Sequence, residues 1–185
     1  MTAPTATPDR EVVVHRQARR PLDWIGLLAR LALGVTLVVA GTIKATNFAN
    51  TVLSVRAYRI LPWDVAPVVG YAMPILEILV GLALVAGLWT RWSALLGALS
   101  MVVFIAGISS AWARGIKLDC GCFGTGGLVG EPWSTVRAGY LRDILRDLGL
   151  LVAGLWLVVR PRSPFSLDSW MAPPVLDDTT SPDPS

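Results

Sequence analysis

Apolar residues run along this chain in blocks of about twenty between short polar stretches, and a helix of that length crosses a hydrocarbon core of roughly 30 Å. The first block predicts a span from about Pro21 to Ala45. Pro21 suits the first helical turn, Trp24 an interface, and Lys44 at the far end is long enough to snorkel. Arg30 falls inside this span. From Asn47 to Pro62, Phe48, Val52 and Val55 alternate with Arg56 and Arg59 at helical spacing, which predicts a short interfacial helix. A second span covers roughly Val65 to Trp89, with Glu77 near its middle, and a third covers about Trp92 to Trp112 without a charged residue. Ala113 to Gly139 is rich in glycine and reads as irregular backbone. A fourth span runs from near Tyr140 to near Val159. Its purely apolar part, Leu148 to Val159, is too short to cross alone, so Arg142, Asp143, Arg146 and Asp147 must reach the interface or face the bundle interior.

The predicted fold is therefore all-α: a four-helix transmembrane bundle with an interfacial helix after span 1 and a cysteine-bearing loop between spans 3 and 4. Residues 1–20 read as a disordered basic leader, 21–159 as the membrane domain and 160–185 as a disordered, proline-rich tail. Composition agrees, with 54% of residues hydrophobic and 16% charged, where a water-soluble domain of this length carries far more charge. The net charge of +3 comes from basic flanks and bears on orientation, not on nucleic acid, for which no motif is present. Arg10, Arg16, Arg19 and Arg20 cluster ahead of span 1 and favour a cytoplasmic N-terminus. Four spans then return the C-terminus to the cytoplasm and place the cysteine loop outside a plasma membrane, where disulfides persist.

That loop carries Asp119-Cys120-Gly121-Cys122-Phe123-Gly124, with both cysteines of the chain. Two thiols one glycine apart can close only a small, strained ring, which makes the disulfide easy to open and suits it to exchange. Two other readings fit: a pair of free thiols, or half of a soft metal site completed by a partner. His15, the sole histidine, lies in the leader, so no zinc site is expected within the chain. Arg114 and Lys117 favour a thiolate, Asp119 opposes one, and Phe123 is placed to bury the pair against the bundle.

Charges inside spans are expensive and generally functional. Counted from the inner ends of spans 1 and 2, Arg30 and Glu77 differ in depth by only about 5 Å, which predicts an Arg30–Glu77 contact. On span 4, Arg142 and Arg146 share one face and Asp143 and Asp147 the next. Their repulsion predicts partners beyond the helix, in the cysteine loop or in a quinone-type ligand.

Arg30 followed by GTIKATNF, the segment RAYRILP, the span containing PILEILVGLAL, and RGIKLDCGCFG ahead of a helix opening with RD together resemble the MauE branch of the DoxX-like membrane proteins. The resemblance covers about Asp23 to Val159. It implies a four-helix membrane bundle with a role in disulfide formation or maturation of exported proteins, the MauE name being tied to maturation of the methylamine dehydrogenase small subunit. Membrane oxidases that generate disulfides with quinone generally use two cysteine pairs, whereas this chain has one. Cys120 and Cys122 must then meet both donor and acceptor, or borrow a pair from a thioredoxin-fold partner outside the membrane. Two other classes compete with a thiol-disulfide redox protein. A non-enzymatic assembly factor would work without the cysteines, and a small transporter would depend on Arg30 and Glu77. The chain leaves its oligomeric state open.

Overall fold

Buried positions recur every three or four residues along four long helices, so each helix turns one narrow stripe inward. The computed structural model describes residues 21–119 and 127–160. Its elements are α1 (Pro21–Ala45), α2 (Phe48–Ala57), α3 (Ala66–Ala86), α4 (Thr90–Ala113), β1 (Leu118–Asp119), β2 (Gly127–Leu128) and α5 (Trp133–Val159). On α3 the stripe is Ala66, Gly70, Pro74, Glu77, Gly81 and Leu84. On α5 it is Val136, Tyr140, Asp143, Asp147, Leu150, Gly154 and Leu157. The outward faces carry large apolar side chains such as Leu28, Val68, Leu79, Leu99, Val103 and Val152, all more than half exposed. Polar groups inside and apolar groups outside are the arrangement a lipid surround selects.

Three helices, α1, α3 and α4, are long and apolar enough to cross a membrane. The fourth long helix, α5, carries its charges in its first half and lies antiparallel against α4. Tyr140 meets Trp112 near one end, and Gly154 faces Ala98 near the other. Leu33, Leu37, Leu84, Met101 and Leu157 fill the centre between them.

The tightest seam joins α1 to α3, where three glycines bring the two backbones together. A Cβ on Gly34 would lie 3.0 Å from the Gly81 carbonyl oxygen, one on Gly41 2.8 Å from that of Pro74, and one on Gly81 2.7 Å from that of Gly34. These contacts fix the antiparallel register, with Gly34 opposite Gly81 and Gly41 opposite Pro74 and Glu77. The α3 end is closed by Gly87 in the left-handed region (φ 71°), and the Leu88 N–H then reaches back to the Ala83 carbonyl at 2.9 Å.

Two expectations change. The short helix after the first span is present as α2, capped by the Asn47 side chain, but it is packed on α3, with Val52 seated on Gly70. The stretch expected to be irregular from Ala113 to Gly139 contains the β1–β2 ladder, and α5 starts at Trp133, not near Tyr140. The reason lies in Val136 and Tyr140. Both continue the buried α5 stripe onto Ile108 and Ala111 of α4, so packing extends the helix through residues whose polarity suggested a loop. The leader, Cys120, Cys122, Phe123 and the tail beyond Arg160 lie outside the described residues.

Overpacking the seam should unfold the bundle. Gly81→Val sets side-chain atoms into the α1 backbone and is expected to lower stability by about 1–3 kcal/mol, while Gly149→Ala, which meets nothing within 4 Å, should be neutral. Thermal unfolding of the detergent-solubilised variants measures both.

Candidate functional site

Two features stand out: a charged cluster inside the bundle, and the strand ladder that borders the cysteines. In the cluster, Lys44 of α1 and Glu77 of α3 form an ion pair with Nζ 2.5 Å from Oε1, and both side chains are almost fully enclosed. The antiparallel register explains how they meet. Each side chain leans toward its own helix N-terminus, so across an antiparallel pair the two lean toward one another. The ammonium also stands over the Phe104 ring of α4, 4.6 Å from its centroid.

The charges of α5 approach the same region. Arg146 donates to Asp147 Oδ1 from Nε at 2.9 Å and from Nη2 at 2.8 Å, and to Asp143 Oδ1 from Nη1 at 3.2 Å. Asp147 is 1% exposed and Asp143 7% exposed; with Gly154 against Ala98, Asp147 lies near the level of Phe104, over whose ring the Lys44 ammonium stands. Arg142 points outward, its side chain 81% exposed and its Nε 3.8 Å from Asp143.

The ladder pairs Leu118 with Leu128 and Asp119 with Gly127. It therefore brings together the two points at which the chain leaves and rejoins the described residues around the cysteines. Tyr140 pegs this ladder to α5, its hydroxyl accepting from the Leu118 N–H at 3.0 Å and donating to the Ile116 carbonyl at 2.7 Å. Lys117 donates to the Glu131 carbonyl at 3.1 Å and lies over the Trp133 ring. Arg114 bonds the carbonyls of Tyr58 and Arg59, tying the α4 end to the end of α2. A groove of about 740 Å³ opens beside the ladder, lined among others by Asp119, Glu131, Ser134, Tyr140, Arg142 and Asp143.

Of the residues singled out in the sequence, Asp119, Arg142 and Asp143 come together around this groove. Cys120, Cys122 and Phe123 lie outside the described residues. Arg30 does not meet Glu77, whose partner is Lys44. With Glu77 beside Gly41, the two residues are separated by the α1 segment from Arg30 to Gly41, about 16 Å along the axis. The expectation failed because it aligned the start of span 1 with the end of span 2. In fact α1 begins roughly two turns beyond the end of α3. Arg146 pairs with the two aspartates of its own helix. Lys44, expected to snorkel, is 6% exposed. It was identifiable in principle, since it continues the three-and-four rhythm of Arg30, Leu33, Leu37 and Gly41 on the buried face of α1. Phe104 and Tyr140 carried no comparable signal.

No group of three or more metal-ligating side chains occurs among the described residues. The family model described as Methylamine utilisation protein MauE matches residues 22–160 of the chain. No curated protein and no solved structure matches it.

Removing one member of the buried pair leaves the other charge uncompensated. Lys44→Met alone is expected to destabilise the protein by about 3–5 kcal/mol, and combining it with Glu77→Met should recover most of that loss. Thermal unfolding of the two variants beside the parent measures the difference; equal instability in both would mean that the charges do not act as a pair.

Proposed function

Since the chain belongs to the MauE family, we propose that it is a membrane thiol-disulfide redox protein in which Cys120 and Cys122 exchange electrons with a thioredoxin-fold partner outside the membrane, in support of disulfide formation in exported proteins. The observation that carries this reading is the ladder. Pairing of Asp119 with Gly127 holds the two ends of the cysteine segment side by side, and Tyr140 pegs them to α5 at the edge of an open groove. A cysteine segment that must meet a partner protein is served by flanks anchored in this way.

In the exchange, one thiolate attacks a sulfur of the partner disulfide. A mixed disulfide forms and one partner thiolate leaves. The second cysteine thiolate then attacks the mixed disulfide, freeing the other partner thiolate and closing the Cys120–Cys122 bond. The same two steps in reverse oxidise a partner dithiol. A quinone-class molecule at the groove, near Arg142 and Asp143, is the second electron partner in this scheme, taking two electrons and two protons from the thiols to become a quinol.

The family is named for methylamine utilisation, and maturation of a disulfide-rich exported subunit is the role in such a pathway that this chemistry would serve. In this reading α5 is the fourth span. Its antiparallel packing along α4 supports this, as does the inward placement of Asp143 and Asp147, both paired with Arg146, which lowers the cost of carrying these charges across. The basic leader supports cytoplasmic termini in the plasma membrane and an extracytoplasmic cysteine loop.

In intact cells, a membrane-impermeant thiol reagent should label the two cysteines only after reduction. Cys122→Ser or Cys120→Ser should trap a mixed disulfide that reductant releases. If neither variant gives a cysteine-dependent adduct, and the Cys120→Ala, Cys122→Ala double variant still complements a deletion, the protein is an assembly factor without redox chemistry.

A further inference from the structure

The buried charges leave hydrogen-bonding capacity unused at one level of the bundle. Glu77 is 3% exposed; Oε1 accepts from Lys44, and the enclosed Oε2 accepts no hydrogen bond among the described residues. Asp147 is 1% exposed; Oδ1 is held by Arg146, and the enclosed Oδ2 likewise has no donor. Lys44 has three N–H donors, of which one goes to Glu77. Carboxylate oxygens without donors and an ammonium with donors to spare thus share a space walled by apolar side chains. Leaving such groups unsatisfied costs free energy, and a proton on either carboxyl relieves it.

The charge balance points the same way. Facing this space are Lys44 from α1, Glu77 from α3, and Asp143, Arg146 and Asp147 from α5, while α4 contributes the uncharged Phe104. Arg30 lies on the buried stripe of α1 but further toward its start, near the level of Gly87. Against these three carboxylates Lys44 is enclosed and Arg146 largely so, while Arg142 reaches Asp143 at 3.8 Å from a side chain 81% exposed, where its charge is screened. Enclosed carboxylates with so little unscreened counter-charge are costly, and a proton relieves that cost.

We propose that Lys44, Glu77 and Asp147 form a proton-exchange site inside the bundle, connected through Arg146 and Asp143 to the groove beside Asp119. The connection is continuous, because Asp143 lines the groove, Arg146 bonds Asp143, and Arg146 also bonds Asp147. Its use rests on the thiol-disulfide reading. When two thiols become a disulfide, two electrons and two protons leave; a quinone-class acceptor takes up two of each. The site holds one such proton at a time as the carboxyl of Glu77 or Asp147 and returns it, with no other bond changed.

The full chain in lipid nanodiscs provides the test. Infrared difference spectra between acid and alkaline pH should contain the carbonyl band of buried carboxylic acid, with one component lost in Glu77→Gln and another in Asp147→Asn. Spectra of both variants identical to the parent would overturn the proposal. Should the single variants fail to fold, the Lys44→Met, Glu77→Met double variant takes their place: loss of the Glu77 component supports the site and its persistence refutes it. On the same samples, oxidation of the reduced thiols by a soluble quinone should slow by about a hundredfold in Glu77→Gln, the scale of a lost proton-transfer group. An unchanged rate and pH profile would overturn the role in redox. Thiols that never oxidise in the parent, beside a titrating Glu77 band, would refute the redox reading and leave the proton site standing.

Discussion

A charge placed among lipid-facing helices must find its counter-charge inside the protein, and the Lys44–Glu77 pair satisfies that requirement at the α1–α3 seam. The seam makes the pair possible. Gly34, Gly41 and Gly81 let the backbones come so close that a lysine near the end of one helix reaches a glutamate in the middle of the other. The pair in turn constrains the seam. A slip of one residue along α1 would turn Lys44 off the buried stripe and leave Glu77 enclosed and alone, which is far more costly than any lost methylene. Close packing and charge pairing therefore specify the same register by independent means.

The same constraint accounts for α5. Its first half is too polar for an apolar environment on composition alone, yet its two aspartates fall on the buried stripe and its Arg146 lies at the margin between them, half-buried. Arg146 uses three N–H groups on two carboxylates, so the helix brings a counter-ion of its own. Local pairing explains why like charges at i and i+4 coexist here. Arg142 points into solvent while Arg146 turns to the aspartates, so the two cations are not both on the buried side.

Much of this architecture was legible from hydrophobic periodicity, because α1, α3 and α4 are long apolar blocks and lipid rewards nothing else. The start of α5 was not, since polarity says loop while the inward stripe of Val136 and Tyr140 says helix, and the stripe is recognisable only once α4 supplies its partner surface. Glu77 was correctly singled out as a buried charge, but its partner was misread. Depth counted from helix ends assumes that the ends are level, and here the register comes from glycines whose significance depends on which glycine they face. Lys44 was hidden by an equally physical alternative, since a lysine near a span end can snorkel outward or turn inward, and one chain in isolation does not say which. Cys120 and Cys122 are proposed from chemistry alone, by their number and spacing.

The α5 stripe joins the two features of the site. Tyr140 holds the ladder at Ile116 and Leu118, and Asp147 is buried two helical turns further along the same face, about 10 Å away. Between them lies Asp143, which belongs both to the groove and to the Arg146 network. One rigid helix face thus sets the distance from the base of the cysteine segment to the buried charges, and a helix bonded at every turn cannot change that distance without breaking its own backbone hydrogen bonds. Any coupling between the two features must accordingly pass through side chains and protons, not through a sliding or stretching of the scaffold. Asp143, with one oxygen bonded to Arg146 and its side chain at the groove wall, is the residue through which that coupling has to run.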